Sequence, residues 1–326
     1  MLISTVLGAL LPIVVTILLG FVAAWHHDFD PKEASILNRM VLLYAVPMGL
    51  FVGTVGTRRE VLSQDLPLVI ALCAAIIGLY AIVFLLGRVA FRAQTSVSAL
   101  IALAVSAPAV PFMGPAVLGD LFGTASAVPI GIAGLIINIT VVPVTILLLS
   151  FDTTQSPIQG DNPVLCNSER PQSRYAALAS LLVNTLKQPI VWAPVAAFAI
   201  VLLGLRTPPL LIHSLSLMGQ AAGGVSLFAS GIILASNKIC ASRFVIGLVA
   251  LKNLVQPALI LVTMRWLACR NPIVNEAVLT TAIPMMPIVI MLATQYQVAQ
   301  AEAASAVLLS SISSVVTMGA FIALTS

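Results

Sequence analysis

The sequence predicts an all-α membrane protein of ten transmembrane helices, arranged as two inverted five-helix repeats, and three observations support it. The composition is 60% hydrophobic and only 8% charged over 326 residues, against roughly 45 to 50% apolar and about 25% charged in a soluble domain. Apolar stretches of about 20 residues, the length that spans a bilayer, recur along the chain. A Pro-x-x-Pro pair appears in both the fourth and the ninth of these stretches, at an offset of 176 positions. Mean hydropathy is +1.11. A chain of this length could bury a large core, but so few charges cannot coat one in water, which leaves lipid as the coat.

The first run covers 2–24. No basic stretch precedes it and no small-residue cleavage site follows it, so it reads as a retained helix and not as a cleaved leader. Four more runs fall at 34–54, 66–88, 97–118 and 126–150. A polar segment, 151–174, then carries Asp152, Asp161, Pro163, Glu169, Arg170 and Pro171. The chain thus divides into a first five-helix repeat (1–150), a polar linker (151–175) and a second repeat (176–326). Within the second repeat, 175–187 reads as an amphipathic surface helix. The remaining runs are 189–205, 210–235, 243–264, 273–294 and 303–324.

Positive charge sets the expected sidedness. Lys32, Arg39, Arg88, Arg92, Arg170, Arg174, Lys187, Lys238 and Arg243 flank the odd-to-even connections, whereas Arg58, Arg59, Arg206, Arg265 and Arg270 flank the others. Nine against five places both termini outside a multi-pass inner (plasma) membrane protein. The same scatter gives the net charge of +4 a topological meaning. It forms no basic patch for nucleic acid.

The repeat is legible in particular residues. The fourth run contains Ser106-Ala107-Pro108-Ala109-Val110-Pro111 and the ninth Ala282-Ile283-Pro284-Met285-Met286-Pro287. Pro12-Ile13-Val14 and Pro189-Ile190-Val191 match at nearly the same offset. Five helices per half is an odd number, so the second half enters the membrane from the opposite face. Proline lacks an amide hydrogen and clashes with the preceding turn, so two prolines three apart open a helix. Taken singly, such a pair is commonly a packed kink. Matched breaks in two inverted repeats point instead to a midplane binding site, at which half-helix amino termini present amides and positive dipole ends to an anion. Pro108, Pro111, Pro284 and Pro287 mark that site, with Ser106 at the break itself.

Lys252 lies about nine residues into an apolar run, on the order of 13 Å along a helix, too deep to reach the interface comfortably. It reads either as a functional charge or as a donor to the broken backbone of the fourth or ninth helix. Asn138, Asn253 and Gln256 are neutral polar groups in apolar helices, and they read either as glue between helices or as contacts to a bound molecule. No Asp or Glu lies centrally in any run. That argues against a cation exchanger, which keeps a buried carboxylate for its ion, and favours an anion. There is no phosphate-binding Gly-x-x-x-x-Gly-Lys-Ser/Thr loop for ATP. His26, His27, His213 and the four cysteines lack metal or redox spacing. An intramembrane enzyme or signalling subunit would need a nucleophile-and-base or metal cluster, and none is visible, so no catalytic residue, metal or cofactor is expected. A coupling proton or sodium ion stays open.

Certain segments resemble the auxin efflux carrier superfamily, and within it the bacterial malonate transporter branch. They are Leu11-Pro12-Ile13 to Leu19-Gly20-Phe21, Leu37-Asn38-Arg39 through Val46-Pro47 to Phe51, Gly219-Gln220-Ala221-Ala222 to Ser226-Leu227-Phe228-Ala229-Ser230-Gly231, and above all Ser106 to Leu118 with its Phe112-Met113-Gly114-Pro115. Many relatives carry Asn-Thr or Asn-Val where this chain has Ala-Pro before the Phe-Met-Gly, a departure that looks like the malonate branch. The resemblance implies a bile-acid symporter or sodium-proton antiporter-like fold with crossing broken fourth and ninth helices. It implies a homodimer through a scaffold of helices 1, 2, 6 and 7, and a moving domain of helices 3 to 5 and 8 to 10. The implied function is elevator-like secondary transport of a small organic anion, malonate or a related dicarboxylate; the alternative is efflux of an amphipathic, auxin-like monocarboxylate. The expected substrate-binding residues are Ser106, Pro108, Pro111, Asn138, Lys252, Gln256, Pro284 and Pro287.

Overall fold

In lipid a backbone can find hydrogen-bond partners only within itself, so long apolar runs take helical form. The computed structural model describes residues 2–56, 66–153, 189–205, 207–236, 242–267, 269 and 271–325, and every regular element among them is helical. Helix α1 is Leu2–Trp25. Helix α2 runs through Pro31–Met40, a π-helical turn Val41–Ala45, and Val46–Val55. Helix α3 has the same build: Leu66–Cys73, a π turn Ala74–Gly78, and Leu79–Val89. The fourth run is split into α4, Thr95–Ser106, and α5, Val110–Phe122. A short 3-10 turn, Gly123–Ser126, leads into α6: Ala127–Ile136, a π turn Ile137–Val141, and Val142–Thr153.

The polar segment expected from residue 151 begins inside α6, whose last turn carries on to Thr153. Residues 154–188, and with them the expected surface helix, lie outside the described residues. Helix α7 is Pro189–Leu202 and α8 is Pro209–Ser236. Helix α9 runs Arg243–Ala250, a π turn Leu251–Val255, and Gln256–Trp266. The ninth run is split into α10, Asn271–Ala282, and α11, Ile288–Gln295, and α12 is Gln300–Thr325. The π turns of α3 and α9 start 177 positions apart, at Ala74 and Leu251. The half-helices α4 and α10 are each 12 residues long and start 176 positions apart.

Among the described residues, six helices are long and apolar enough to cross a membrane: Lys32–Val55, Pro67–Val89, Val128–Ser150, Pro209–Ala235, Arg243–Trp266 and Gln300–Thr325. Val14–Trp25, Thr95–Ser106 and Pro189–Leu202 are shorter apolar helices. The outward faces are greasy, with Leu85, Leu217, Val262 and Val316 exposed. Trp25 and Trp266 are exposed at helix ends, where indoles favour the interface between lipid and water.

Sequence chemistry sets several helix ends. Glu33 accepts a 2.7 Å hydrogen bond from the Asp30 amide ahead of α2, and Ser242 Oγ accepts one of 3.2 Å from the Val245 amide at the start of α9. After α7, Gly204 takes φ +66°, a left-handed conformation that glycine adopts without a Cβ clash, and the helix stops there.

The packing sorts the helices. Helix α8 lies along α1 and α2, and α7 packs on α2; α4 packs between α3 and α6, while α9, α10 and α12 pack on one another. Close backbone approach through glycine seals the first group. An added Cβ at Gly20 would collide with the Phe228 carbonyl, one at Gly231 with the Ile17 carbonyl, and one at Gly219 would come within 2.6 Å of the Gly49 Cα. Helix α1 also lies against α12, and α2 against α11, so the two groups share a boundary.

Candidate functional site

The chain leaves helical form at 107–109 and again at 283–287, and these two extended pieces cross. They pair as an isolated antiparallel bridge between Pro108 and Met285: the Ala109 amide donates to the Pro284 carbonyl at 2.9 Å, and the Met286 amide donates to the Ala107 carbonyl at 3.2 Å. Each break thus satisfies backbone groups freed in the other, which makes it tolerable at membrane depth. The two prolines of each pair divide the work. Pro108 and Pro284 sit in the extended pieces, whereas Pro111 lies in the first turn of α5 and Pro287 caps α11. A first helical turn accepts proline because its amide would have no partner there.

Four half-helix ends therefore converge. Helices α4 and α10 bring carboxyl ends, where carbonyls lack intrahelical partners; α5 and α11 bring amino ends, where amides do. The carboxyl ends are capped from α9. Lys252 Nζ donates to the Thr281 carbonyl at 2.8 Å and to Gln256 Oε1 at 2.5 Å, and Gln256 Nε2 donates to the Ser106 carbonyl at 2.7 Å. Lys252, Gln256, Ser106 and Thr281 are each 0% exposed.

A second branch starts one residue on. Asn253 Nδ2 donates to the Ser310 carbonyl and to Ser313 Oγ, both at 2.8 Å. Ser310 Oγ donates to Asn253 Oδ1 at 2.8 Å and accepts from the Met285 amide at 3.1 Å. Three side chains of α9, spaced at i, i+1 and i+4 in and just after its π turn, thus hold the crossing from one side.

The family model described as Membrane transport protein matches residues 5–322. The chain belongs to this family, that of the auxin efflux carriers. It is similar to "Uncharacterized transporter YfdV" of Escherichia coli (strain K12), 30% identical over 261 residues that cover 79% of this chain and 78% of that protein. The protein of that name from Shigella flexneri matches equally. A "Putative malonate transporter" of Rhizobium meliloti (strain 1021) is 23% identical over 317 residues, covering 97% of this chain and 94% of that one. The chain is accordingly a multi-span membrane transporter.

Within this transporter, Ser106, Pro108, Lys252, Gln256 and Pro284 are joined by the bridge and its caps, with Pro111 and Pro287 opening the half-helices that leave it. Asn138 stands apart: it lies in the π turn of α6, which packs against the π turn of α3 and against α7, and it makes no contact in the crossover network described above. Two buried oxygens among these residues have no hydrogen-bond partner, Ser106 Oγ and Asn138 Oδ1. Buried polar atoms are rarely left so. Ser310, Ser313 and the Thr281 carbonyl are participants that the sequence reading did not single out. The signal for the serines was there: Ser310-Ser311-Ile312-Ser313-Ser314 places hydroxyls at i, i+3 and i+4 on an otherwise apolar helix.

Proposed function

We propose that this chain is a secondary active transporter of a small organic anion, malonate or a related dicarboxylate, whose charge is held at the crossing of the two breaks. The observation that carries the reading is the bridge itself. It brings the amino ends of α5 and α11 to one place, so first-turn amides and positive dipole ends face a common centre, suited to carboxylate. Ser106 Oγ, buried and unpartnered, adds a hydroxyl donor. Lys252 supplies positive charge beneath the carboxyl ends, offsetting the cost of bringing negative charge to mid-membrane. The relative from Rhizobium, named for malonate, supports the choice of acid.

The architecture that goes with this reading is ten membrane spans in two inverted repeats of five, supported by the matched half-helices at an offset of 176 and the matched π turns at 177. Helices α1, α2, α7 and α8 form the scaffold of a homodimer in the inner membrane, both termini outside, and the remaining helices move as an elevator. The close glycine packing of α1 on α8 and of α2 on α8 supports a rigid scaffold.

Uptake of labelled malonate into proteoliposomes tests the function. Saturable flux that unlabelled malonate or succinate competes away is expected. If malonate and other dicarboxylates are inert while a hydrophobic monoacid is carried, the site is built for an amphipathic anion.

A further inference from the structure

The first segment of α2 buries Ala34 and Asn38, one turn apart, and packs against α8 and α11. Asn38 is 2% exposed, and neither its Oδ1 nor its Nδ2 has a hydrogen-bond partner. Leaving both ends of a buried carboxamide unpaired is costly, and an apolar side chain would fill the place without that cost. On the proposed topology α2, the second span, begins and α11 ends on the same membrane face, so the two run antiparallel. The α2 segment is about 15 Å long and α11 about 12 Å. Asn38, in the last turn of that segment, therefore comes level with the amino end of α11, where Pro287 opens the half-helix at the crossing. No balancing charge surrounds it. Helix α11 has no titratable side chain, α8 has only His213, exposed near its start, and Lys32, Glu33, Arg39 and Tyr44 of α2 itself are exposed. Among the described residues, Lys252 is the one charged side chain in the buried interior.

We infer that Asn38 binds the protonated carboxyl of a half-ionised dicarboxylate, so that the species carried is the monoanion; this deepens the reading of the crossing as an anion site and rests on it. A carboxamide both donates and accepts, and a protonated carboxyl is its complement: the acid C=O accepts from Nδ2 while the acid O–H donates to Oδ1. The ionised carboxylate lies on the first-turn amides of α5 and α11, and the neutral carboxyl lies on Asn38. Burying one negative charge costs less than burying two, and the proton crosses as part of the substrate.

The probe is malonamate, whose carboxamide donates and accepts at every pH, as the protonated carboxyl does, beside one lasting carboxylate. Binding to the full purified chain is read as the rise in unfolding temperature on titration with malonate or malonamate. Above the second ionisation of malonic acid, malonate affinity is expected to fall about tenfold per pH unit while malonamate affinity holds constant. Malonate affinity that ignores pH overturns the inference, and so does a malonamate affinity that is absent or falls in parallel. Asn38→Leu removes the donor and the acceptor at similar volume. Without ligand it is expected to unfold no lower than wild type, and malonamate binding is expected to weaken about tenfold or more. Unchanged malonamate affinity in that variant, with or without lowered stability, marks a structural role and overturns the inference. If Asn38→Leu does not insert, Asn38→Ala carries the same test with the same outcomes. If neither acid stabilises the protein at any pH, the anion site fails and this inference with it. Malonate binding that ignores pH leaves the anion site standing and removes this inference alone.

Discussion

Two buried side chains, Ser106 on α4 and Gln256 on α9, lie at the same stretch of backbone yet have opposite duties. Gln256 uses both ends of its carboxamide, accepting from Lys252 Nζ and donating to the Ser106 carbonyl. Gln256→Leu leaves a buried donor and a buried carbonyl each short of a partner, a loss of about 1 to 3 kcal/mol, to be read as a lowered Tm in detergent. Ser106 Oγ has no protein partner to lose. Ser106→Ala should therefore leave stability unchanged or raise it by about 1 kcal/mol, since it removes a buried hydroxyl that has no partner. If the hydroxyl meets a substrate carboxylate, the same change removes a charge-assisted hydrogen bond and raises KM by about tenfold or more. An unaltered KM in uptake assays would place the carboxylate elsewhere. Lys252 shows how far sequence reasoning reaches at this scale. Its depth in an apolar run left two roles open, and the 2.8 Å contact to the Thr281 carbonyl now assigns it the backbone-donor role.

At the scale of elements, the breaks were legible because Pro-x-x-Pro is written in local chemistry. Which proline is extended and which opens a helix was not, since that depends on the partner break supplying the Pro284 and Ala107 carbonyls across the bridge. The π turns were hidden for the same reason: Leu251 to Val255 has ordinary helical composition, and only packing against α10 and α12 makes the wider turn worthwhile. Glycine spacing, by contrast, could be read but not interpreted, because Gly20, Gly224 and Gly231 look alike in sequence. Gly231 meets the Ile17 carbonyl so closely that a Cβ has no room, while nothing lies within 4 Å of the Cβ position at Gly224. Gly231→Ala should part α1 from α8 and cost about 1 to 3 kcal/mol. Gly224→Ala, on the same helix, should be neutral or stabilise by up to about 1 kcal/mol. Thermal unfolding of the two variants side by side measures the difference, and equal midpoints would mean that the helices are not sealed at this crossing.

For the whole molecule, the matched features constrain topology more tightly than hydropathy does. Six helices are long and apolar enough to cross on their own, but the half-helices at the two breaks fall short singly and would cross only as the pairs α4 with α5 and α10 with α11. Counting each pair as one span, and adding α1 and α7 as the proposed architecture requires, gives five spans before the polar segment and five after it. Parity then requires the polar segment to lie on one side of the membrane and both termini on the other, whichever way the protein is inserted. On the proposed topology, the excess of Lys and Arg around the odd-to-even connections predicts that the polar segment lies inside. Alkaline phosphatase, active only when exported, should be active when fused after residue 326 and inactive when fused within 154–174; a fluorescent protein that matures only in the cytoplasm should give the reverse pattern. Exchanged activities would invert the orientation and leave the repeat intact. The same activity at both fusion sites would mean an even number of spans between them, and the inverted-repeat architecture would fall with it.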